Sequence, residues 1–495
     1  MSYFIGVDIG TSSSKGVLVD DVGQLLQQAV RAHEVSHPRA GWAEMDGEVW
    51  WREAVELIRE LVTAAPQPVS GVGVSGMGPC VLLTDEHGRP LRPAMLYGVD
   101  ARATAQIADL TAEFGEAEIR ARCGSLLSTQ AVGPKLQWVA DNEPKVFARA
   151  RRIFMPSSWL AYNLTGTYVL DHQSASQSTP LYDIHAREWY GPWAQRIAPQ
   201  LELPLLRWAS DVAGTVTPEA ASATGLVAGT PVITGTIDAW SEAISVDAHN
   251  VGDLMLMYGT TMFMVNTVSE PLSHPPLWST IGALPDTRNL AAGMATSGAV
   301  TSWLRDIFGR PDYAELLQLA TASGPGARGL VCLPYFAGER TPIADPDARG
   351  VIAGLTVSHT RGDLYRAALE ATALGVRHNI ETFREAGGQI DRIVAVGGGT
   401  QGDLWVQIVS DIADVEQVIP THTVGASYGV AHLAARSQLD VAIADWNPPR
   451  WTCRPDAATR ATYDGLYALY RELYPATRQI SHALARRQRE LDPGN

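Results

Sequence analysis

Short apolar runs alternate with amphipathic stretches through the first quarter of the chain. Residues 4–7 and 16–19 are apolar and flank a turn of glycine and small hydroxyl residues, which predicts a β-hairpin. A third strand is predicted at 25–30, a helix with one apolar face at 49–62, and a further strand at 71–74. Strands and amphipathic helices in this order predict an α/β protein with layers over a mixed sheet.

A similar order of elements returns in the second half of the chain. Asp238 follows a short apolar run and precedes a predicted helix at 239–246. The predicted strands 254–257 and 262–265 then flank a turn that contains Gly259-Thr260-Thr261. The order of strands and turn is repeated, although the side chains differ. This indicates duplication of one domain plan, and a chance likeness between two hairpins is the alternative.

A third glycine-rich turn, Gly397-Gly398-Gly399, lies between a predicted strand at 392–396 and a predicted helix at 404–412. Glycine lets a ligand approach the backbone, and a helix N-terminus beyond it favours anions. A tight strand-to-helix turn without a ligand is the alternative. Farther on, a helix of small residues at 425–435 is expected to pack closely on the sheet, and a terminal helix at 457–473 is expected to cover the surface.

Composition and charge narrow the classes of function. The net charge of −15 argues against nucleic acid as a partner, because phosphate backbones require a basic surface. The sequence shows neither the pattern of a signal peptide nor an apolar run long enough to span a membrane. The four cysteines have no metal-type spacing, so we expect reduced thiols in a cytoplasmic protein.

The first hairpin turn carries candidate chemistry. Between Asp8 and Lys15 it offers backbone N–H groups, hydroxyls and an ammonium group, a set that suits an anionic phosphate chain. The Asp8 carboxylate beside them could hold Mg²⁺ through water. An ordinary hairpin turn is the alternative.

Three glycine-rich turns, two of them in hairpins of separate halves, resemble those of the actin-like ATPase superfamily. More specifically, the chain resembles the FGGY carbohydrate kinases, in the xylulose and gluconate kinase branch. Residues 350–355, followed after seven residues by 363–370, fit the second signature of that family at every constrained position. The first signature is present only in part, because Val132 replaces the expected Pro, Ser or Thr. We expect Glu370 to lie on a helix surface or in an interdomain contact rather than to act in catalysis.

The resemblance implies two actin-like (ribonuclease H-like) domains, each with a mixed central sheet flanked by helices, and an active site in the cleft between them. The expected boundaries are 1–246 for the sugar-binding side and 247–440 for the nucleotide-binding side. Residues 441–495 are expected to form a helical extension packed on the second domain.

The resemblance also implies ATP-dependent phosphorylation of a sugar hydroxyl with Asp238 as the general base. Asp238 stands where a strand gives way to a helix, a position that directs a side chain into a cleft. A carboxylate there can accept the proton of the attacking hydroxyl. A plain helix N-cap is the alternative, since aspartate often caps helices.

The resemblance assigns the remaining nucleotide and metal positions. Asp8 and Asp238 are the candidates for Mg²⁺. Lys15 either reaches a phosphate or is a solvated hairpin lysine. The expected ATP-binding residues are Gly10, Thr11, Ser12, Ser13, Lys15, Gly259, Thr260, Thr261, Gly298, Gly398, Gly399 and Gly402.

The sugar side departs from the relatives. Xylulose kinases of the family carry a Gln-Met-His-Gly-like segment after the strand that corresponds to 71–74, and here the Gln and His positions hold Met77 and Pro79. Fewer hydrogen-bonding side chains change how a site discriminates among polyols.

The next sugar segment of the relatives reads Trp-Asn-Asp-x-Arg, and here residues 97–102 keep Asp100 and Arg102 with one extra residue before them. The resemblance implies that Asp100 accepts sugar hydroxyls and that Trp42 stacks on the sugar. A surface pair of Asp100 with Arg102, and simple packing of Trp42, are the alternatives. The expected substrate-binding residues are Trp42, Met77, Gly78, Asp100, Arg102 and Asp238.

These features favour a ketopentose such as xylulose as the acceptor. Gluconate, ribulose, fuculose, glycerol and erythritol-type polyols are the alternative acceptors, and a non-catalytic sugar or nucleotide sensor is the alternative class. The presence of Asp8 and Asp238 favours the enzyme. A homodimer is an open expectation, because dimers are frequent among the relatives.

Overall fold

The computed structural model describes residues 1–491 and contains two seven-stranded sheets flanked by helices. The strands are β1 (Tyr3–Ile9), β2 (Ser13–Asp20), β3 (Leu25–Ala32), β4 (Glu44–Met45), β5 (Gly71–Gly76), β6 (Leu82–Thr84), β7 (Ala94–Met95), β8 (Arg152–Phe154), β9 (Val169–Asp171), β10 (Tyr182–Asp183), β11 (Glu188–Trp189), β12 (Leu205–Arg207), β13 (Val212–Thr215), β14 (Pro231–Ile233), β15 (Thr236–Ile237), β16 (Asp253–Tyr258), β17 (Met262–Val268), β18 (Trp278–Ile281), β19 (Arg288–Met294), β20 (Val331–Leu333), β21 (Val351–Ala353), β22 (Arg392–Val396), β23 (Gln417–Pro420) and β24 (Pro449–Cys453).

The α-helices connect and cover these sheets. They are α1 (Gly47–Ala64), α2 (Thr104–Phe114), α3 (Glu116–Cys123), α4 (Val132–Asn142), α5 (Pro144–Arg149), α6 (Pro156–Thr165), α7 (His172–Ser176), α8 (Gly191–Ile197), α9 (Pro218–Thr224), α10 (Asp238–Ser245), α11 (Gly298–Ile307), α12 (Tyr313–Ser323), α13 (Arg361–Glu385), α14 (Asp403–Ala413), α15 (Ala426–Arg436), α16 (Ile443–Trp446) and α17 (Arg460–Leu491).

The two sheets follow one plan. The first has the strand order β3-β2-β1-β5-β14-β13, and the second contains β19-β17-β16-β22-β23-β24 in the corresponding places. In both, the first three strands are antiparallel, the next two run parallel to the central one, and the last is antiparallel. The predicted mixed sheets are confirmed, and the repeated order supports the duplication inferred from the two hairpins.

Helix α15 lies in the second half of the chain but packs on the first sheet. A Cβ atom on Gly6 of β1 would lie 1.8 Å from the carbonyl oxygen of Ser427 in α15. A Cβ on Gly73 of β5 would lie 2.0 Å from the carbonyl oxygen of Val430. No real side chain tolerates such distances, so glycine at both strand positions is what allows the helix to lie against the sheet.

Helix α10 makes the reverse connection, from the first half of the chain to the second sheet. The indole of Trp240 donates to Asn289 Oδ1 of β19 at 2.9 Å, and its ring centroid lies 6.3 Å from that of Phe263 in β17. Helices α10 and α15 also touch each other, since a Cβ on Gly429 would lie 2.0 Å from the carbonyl oxygen of Ser241. The pair of helices therefore joins the two sheets.

Apolar clusters fill the space on both sides of each sheet. The apolar face predicted for α1 is buried against the first sheet, with Trp50, Leu57 and Leu61 fully enclosed. The second sheet packs against α13, α14 and α17. These layers bury ample apolar surface for a chain of this length.

Two local predictions are corrected by the structure. The terminal helix extends from Arg460 to Leu491 and contains Pro475, whereas the predicted helix ended just before that proline. Glu370 is 2% exposed, so it does not lie on the helix surface, and its hydrogen-bond partners lie in the second half of the chain rather than across the domains. Its carboxylate accepts hydrogen bonds from Arg366 and from the backbone of Gly326, because a buried charge requires partners.

The segment beyond residue 440 is helical and also contributes β24 to the second sheet.

A membrane-spanning helix is not found among residues 1–491, since none of the helices there combines the necessary length and apolar character.

The close approach of α15 to the first sheet predicts a specific sensitivity. Gly73→Ala should lower the free energy of unfolding by about 1–3 kcal/mol, because the added methyl group overpacks a backbone contact. Gly465→Ala is the matched control, since that glycine lies in α17 with open space around it and alanine favours helix. Thermal and denaturant unfolding of both variants measures the difference. Equal stability of Gly73→Ala and wild type would contradict the packing described.

Candidate active site

A cavity of about 320 Å³ lies where the two halves of the molecule meet. It is bordered by the carboxyl end of β1 and by the N-terminal ends of α10 and α15. Two helix N-termini at one cavity favour negatively charged ligands. Of the site residues predicted from the sequence, those that line it are Asp8, Lys15, Met77, Gly78, Asp238 and Thr261.

Asp238 is the first residue of α10, and its carboxylate faces the cavity. The capping position belongs to Ile237, and within residues 1–491 the Asp238 carboxylate accepts one hydrogen bond, from the adjacent N–H of Ala239 at 2.7 Å. The N-cap alternative is therefore wrong. Burial, together with the nearby charge of Asp8, raises the pKa of Asp238 to about 7. A carboxyl group with this pKa can exchange protons near neutral pH.

Asp8 lies at the end of β1 beside the same cavity. Its carboxylate accepts from the Ser75 hydroxyl at 2.8 Å, and Lys15 is its partner across the hairpin. Burial raises the pKa of Asp8 to about 6, and the Ser75 hydrogen bond and the Lys15 charge oppose that rise. Lys15 thus faces the cavity rather than open solvent.

Glu242 is a third carboxylate at the cavity that the sequence reasoning missed. It lies one helical turn beyond Asp238, and a Cβ atom on Gly425 would be 3.1 Å from its Oε2. Burial and the charge of Asp8 raise the pKa of Glu242 to about 7. The spacing of four residues from Asp238 on a helix was the available signal. Negative charge on one of these carboxylates disfavours ionisation of its neighbours.

The two predicted phosphate turns have similar local structure. In the first, the N–H of Gly10 donates to the Ser13 carbonyl at 3.1 Å, and in the second, Gly259 donates to the Thr261 carbonyl at 3.1 Å. The hydroxyl of Thr11 lies 2.9 Å from that of Tyr97, which lines the cavity. Ser12 and Thr260 are exposed at the tips of their turns.

The other predicted nucleotide positions gather around the second turn. Gly298 opens α11, and its N–H donates to the Gly259 carbonyl at 3.0 Å. Gly397 and Gly399 pack against Tyr258, which precedes that turn, while Gly398 has open space around its Cα. Gly402 lies near Leu317 of α12. The structure thus brings Gly298 and the turn at residues 397–399 to the second phosphate turn, whereas Gly402 faces α12.

Asp100, Arg102 and Trp42 do not line the cavity. The carboxylate of Asp100 accepts from the N–H of Ala43 and from the Arg102 guanidinium, and Asp100 is 1% exposed. The Arg102 guanidinium also lies 3.8 Å from the Trp42 ring centroid and pairs with Glu44. The surface-pair alternative is wrong, because the pair is buried. The Asp100 carboxylate and the Arg102 guanidinium are already hydrogen-bonded within this network. The network therefore ties residues 42–44 to residues 100–102.

Other residues, which the sequence reasoning did not assign as site residues, complete the wall of the cavity. Some are polar and some aromatic, a mixture typical of sites for small polar ligands. They lie on separate elements of the chain, and no local motif marks them. Trp240 belongs to α10 and Trp278 to β18, whereas loops carry Tyr97, Gln130, Gln177 and Arg340.

Comparison with known proteins shows the family. Residues 3–245 match the N-terminal domain of the FGGY family of carbohydrate kinases, and residues 254–438 match its C-terminal domain. A xylulose kinase from Bacillus subtilis is 28% identical over 497 residues, covering 98% of this chain and 99% of that protein. A glycerol kinase from Nocardia farcinica is 32% identical over 454 residues, covering 87% of this chain and 89% of that protein.

A solved structure gives the same result. The crystal structure of xylulose kinase from Rhodospirillum rubrum superposes with a TM-score of 0.91 at 32% identity, covering 97% of this chain and all of that one. The expected two-domain α/β kinase fold is confirmed. The chain belongs to the FGGY family of carbohydrate kinases and, as a member, is an ATP-dependent sugar kinase.

Proposed function

We propose that this kinase phosphorylates a ketopentose, with xylulose as the leading acceptor, and that Asp238 is its general base. The observation that carries the proposal is the position of the Asp238 carboxylate. It faces a cavity that Asp8 and Thr261, from the neighbourhoods of the two phosphate turns, also line. An acceptor hydroxyl beside Asp238 would therefore be close to a phosphate held by those turns.

The proposed reaction moves one phosphoryl group and one proton. The acceptor oxygen forms a bond to the terminal phosphorus of ATP while the bond from that phosphorus to the bridging oxygen breaks, which releases ADP. The hydroxyl proton passes to the Asp238 carboxylate. Such a transfer depends mainly on positioning and on cations near the developing charge.

The two hairpin turns are proposed to hold the phosphate chain. Thr11, Ser12 and Ser13 supply hydroxyls near the β- and γ-phosphates, with backbone N–H groups from Gly10. Gly259, Thr260 and Thr261 form the facing turn, and Lys15 supplies charge from the cavity wall. We assign the adenosine to the surface formed by Gly298, Gly398, Gly399 and Gly402.

The carboxylates at the cavity fit a divalent cation that arrives with the nucleotide. Within residues 1–491, no group of three or more acidic, histidine or cysteine side chains is arranged to hold a metal ion by itself. This suits Mg²⁺, which commonly binds one or two carboxylates together with phosphates and water. We propose Asp8 and Asp238 as the protein side of that site. When bound there, Mg²⁺ would neutralise charge on the phosphates.

The acceptor is proposed from the relatives and from the cavity wall. Two of the similar proteins are named xylulose kinases, which supports the ketopentose. Met77 and Gly78 lie at the wall, with Gln130 and Gln177 as neighbouring hydrogen-bonding groups. The glycerol kinase at 32% identity supports a polyol as the second candidate, because Met77 and Pro79 stand where xylulose kinases carry Gln and His.

Two further proposals concern the setting of the enzyme. All four cysteines are buried free thiols, which agrees with a reducing compartment such as the cytoplasm. A homodimer remains a prediction that sedimentation would test directly.

A panel of acceptors tests the proposed function. We expect wild type with ATP to phosphorylate xylulose faster than ribulose, gluconate, fuculose, glycerol or erythritol, measured as ADP release and sugar phosphate formed. Asp238→Asn should lower kcat by about 10²–10⁴-fold, because the general base is lost. Asp445→Asn, an exposed aspartate in α16, is the control. Near wild-type turnover by Asp238→Asn would contradict the mechanism, and a preference for glycerol would favour the polyol kinase.

The pH profile tests the cluster of carboxylates. Activity should fall as pH drops through about 7, because Asp238 must be ionised to accept a proton. Burial and Asp8 contribute most to the raised pKa of Asp238, and the charge of Glu242 adds to it. Glu242→Gln should therefore shift the acidic limb of kcat/KM to lower pH, with Glu219→Gln of exposed α9 as control. A shift to higher pH would contradict this arrangement.

The same pKa predicts a stability effect that needs no substrate. The folded state holds the Asp238 proton up to about pH 7, whereas the unfolded chain releases it near pH 4. The free energy of unfolding therefore falls as pH rises between these values. The Asp238→Asn side chain does not ionise, so the variant avoids this fall in the free energy of unfolding. It should therefore be more stable than wild type at pH 8. The difference should shrink as pH falls toward 4, and a difference independent of pH would count against the raised pKa.

A further inference from the structure

Arg340 places a guanidinium in the cleft between the two halves of the molecule. Its side chain lines the reaction cavity and also an adjoining cavity of about 470 Å³ between the two halves. Its Nη2 donates to the Met294 carbonyl at 3.0 Å, and among the described residues it forms no ion pair with a carboxylate. Burial lowers the pKa of Arg340, the nearby Glu339 opposes that fall, and the guanidinium remains charged.

The backbone that carries Arg340 is tightly fixed. The buried carboxyl of Glu339 accepts from the N–H of Ala295 at 2.7 Å and from that of Arg340 at 2.8 Å. Thr341 exchanges hydrogen bonds with Gly293 at the end of β19. Within the described residues the Glu339 carboxyl accepts from these backbone N–H groups and not from the Arg340 guanidinium, which stays directed at the cavity. A cation fixed in this way is suited to stabilise charge that develops during a reaction.

Neighbouring residues link Arg340 to both phosphate turns. On one side it shares the cavity wall with Tyr97, whose hydroxyl contacts Thr11 of the first turn. On the other it is bound to Met294, the strand partner of Met262, which directly follows the second turn. Asp238 lines the same cavity.

We propose that Arg340 is a further catalytic residue that contacts the transferring phosphoryl group from the second half of the molecule. The proposal rests on the kinase function proposed above. As the bond to the acceptor oxygen forms and the bond to the ADP oxygen breaks, negative charge is shared by the equatorial phosphoryl oxygens. A guanidinium matches such oxygens with two parallel donors. The three carboxylates of the cavity repel this charge, and Arg340 would offset that repulsion together with Lys15 and the proposed Mg²⁺.

Two variants and a transition-state analogue test the proposal. Arg340→Ala should lower kcat by about 10³-fold or more with a smaller change in the KM for ATP, as found when an arginine acts on the transferring group. Arg340→Lys should recover part of the loss, because it restores the charge without the fork. Arg207→Ala is the control, since that exposed arginine lies on β12.

A binding measurement separates catalysis from structure and needs no acceptor turnover. Calorimetry with Mg²⁺·ADP should give dissociation constants within about threefold for wild type and Arg340→Ala, whereas the ADP–aluminium fluoride complex should be at least about tenfold weaker in the variant. Equal weakening of both complexes, or an unchanged fluoride complex, would overturn the proposal. A loss confined to the KM of acidic acceptors would also overturn it, since Arg340 would then bind an acceptor carboxylate. Failure of wild type to phosphorylate any acceptor would contradict the kinase proposal instead, and the binding comparison would still decide the role of Arg340.

Discussion

The contact between helices α10 and α15 is the constraint on which the rest of the molecule depends. Each helix belongs to one half of the chain and reaches the sheet of the other half, and their backbones meet at Gly429. Glycine at Gly6 and Gly73 lets α15 lie directly on β1 and β5. Because both helices start at the cleft, their N-termini face the same space. Asp238 and Gly425 thus reach the cavity as a consequence of how the sheets are joined.

This arrangement concentrates opposing charges in a small volume. Burial raises the pKa of Asp8, Asp238 and Glu242, and the charge of Asp8 adds to the rise at Asp238 and Glu242. Lys15 from the first half and Arg340 from the second are the cations on the same wall. A folded protein tolerates such a cluster where bound ligands balance its charges. The raised pKa values and the electrostatic cost of the cluster are typical of functional sites. Nucleotide phosphates and a divalent cation would balance both signs of charge.

The sequence predicted the parts of this site that are encoded locally. The hairpin turns with Asp8 and Gly259, the strand-to-helix position of Asp238 and the small-residue helix at 425–435 each depend on neighbours along the chain. Arg340 and Gln177 could not be found that way, since only tertiary packing brings their loops to the cavity. Asp100 was assigned to the sugar because it follows a family motif. Its buried pairing with Arg102 is invisible to a motif, which records residue types and not their partners.

The most direct test of the account is a crystal structure with the preferred acceptor and a non-hydrolysable ATP analogue bound together. The account predicts one acceptor hydroxyl within about 3 Å of an Asp238 carboxylate oxygen. The terminal phosphorus should lie in line with that hydroxyl, between the turns at Gly10 and Gly259. An acceptor bound away from Asp238, or phosphates held outside those turns, would contradict it.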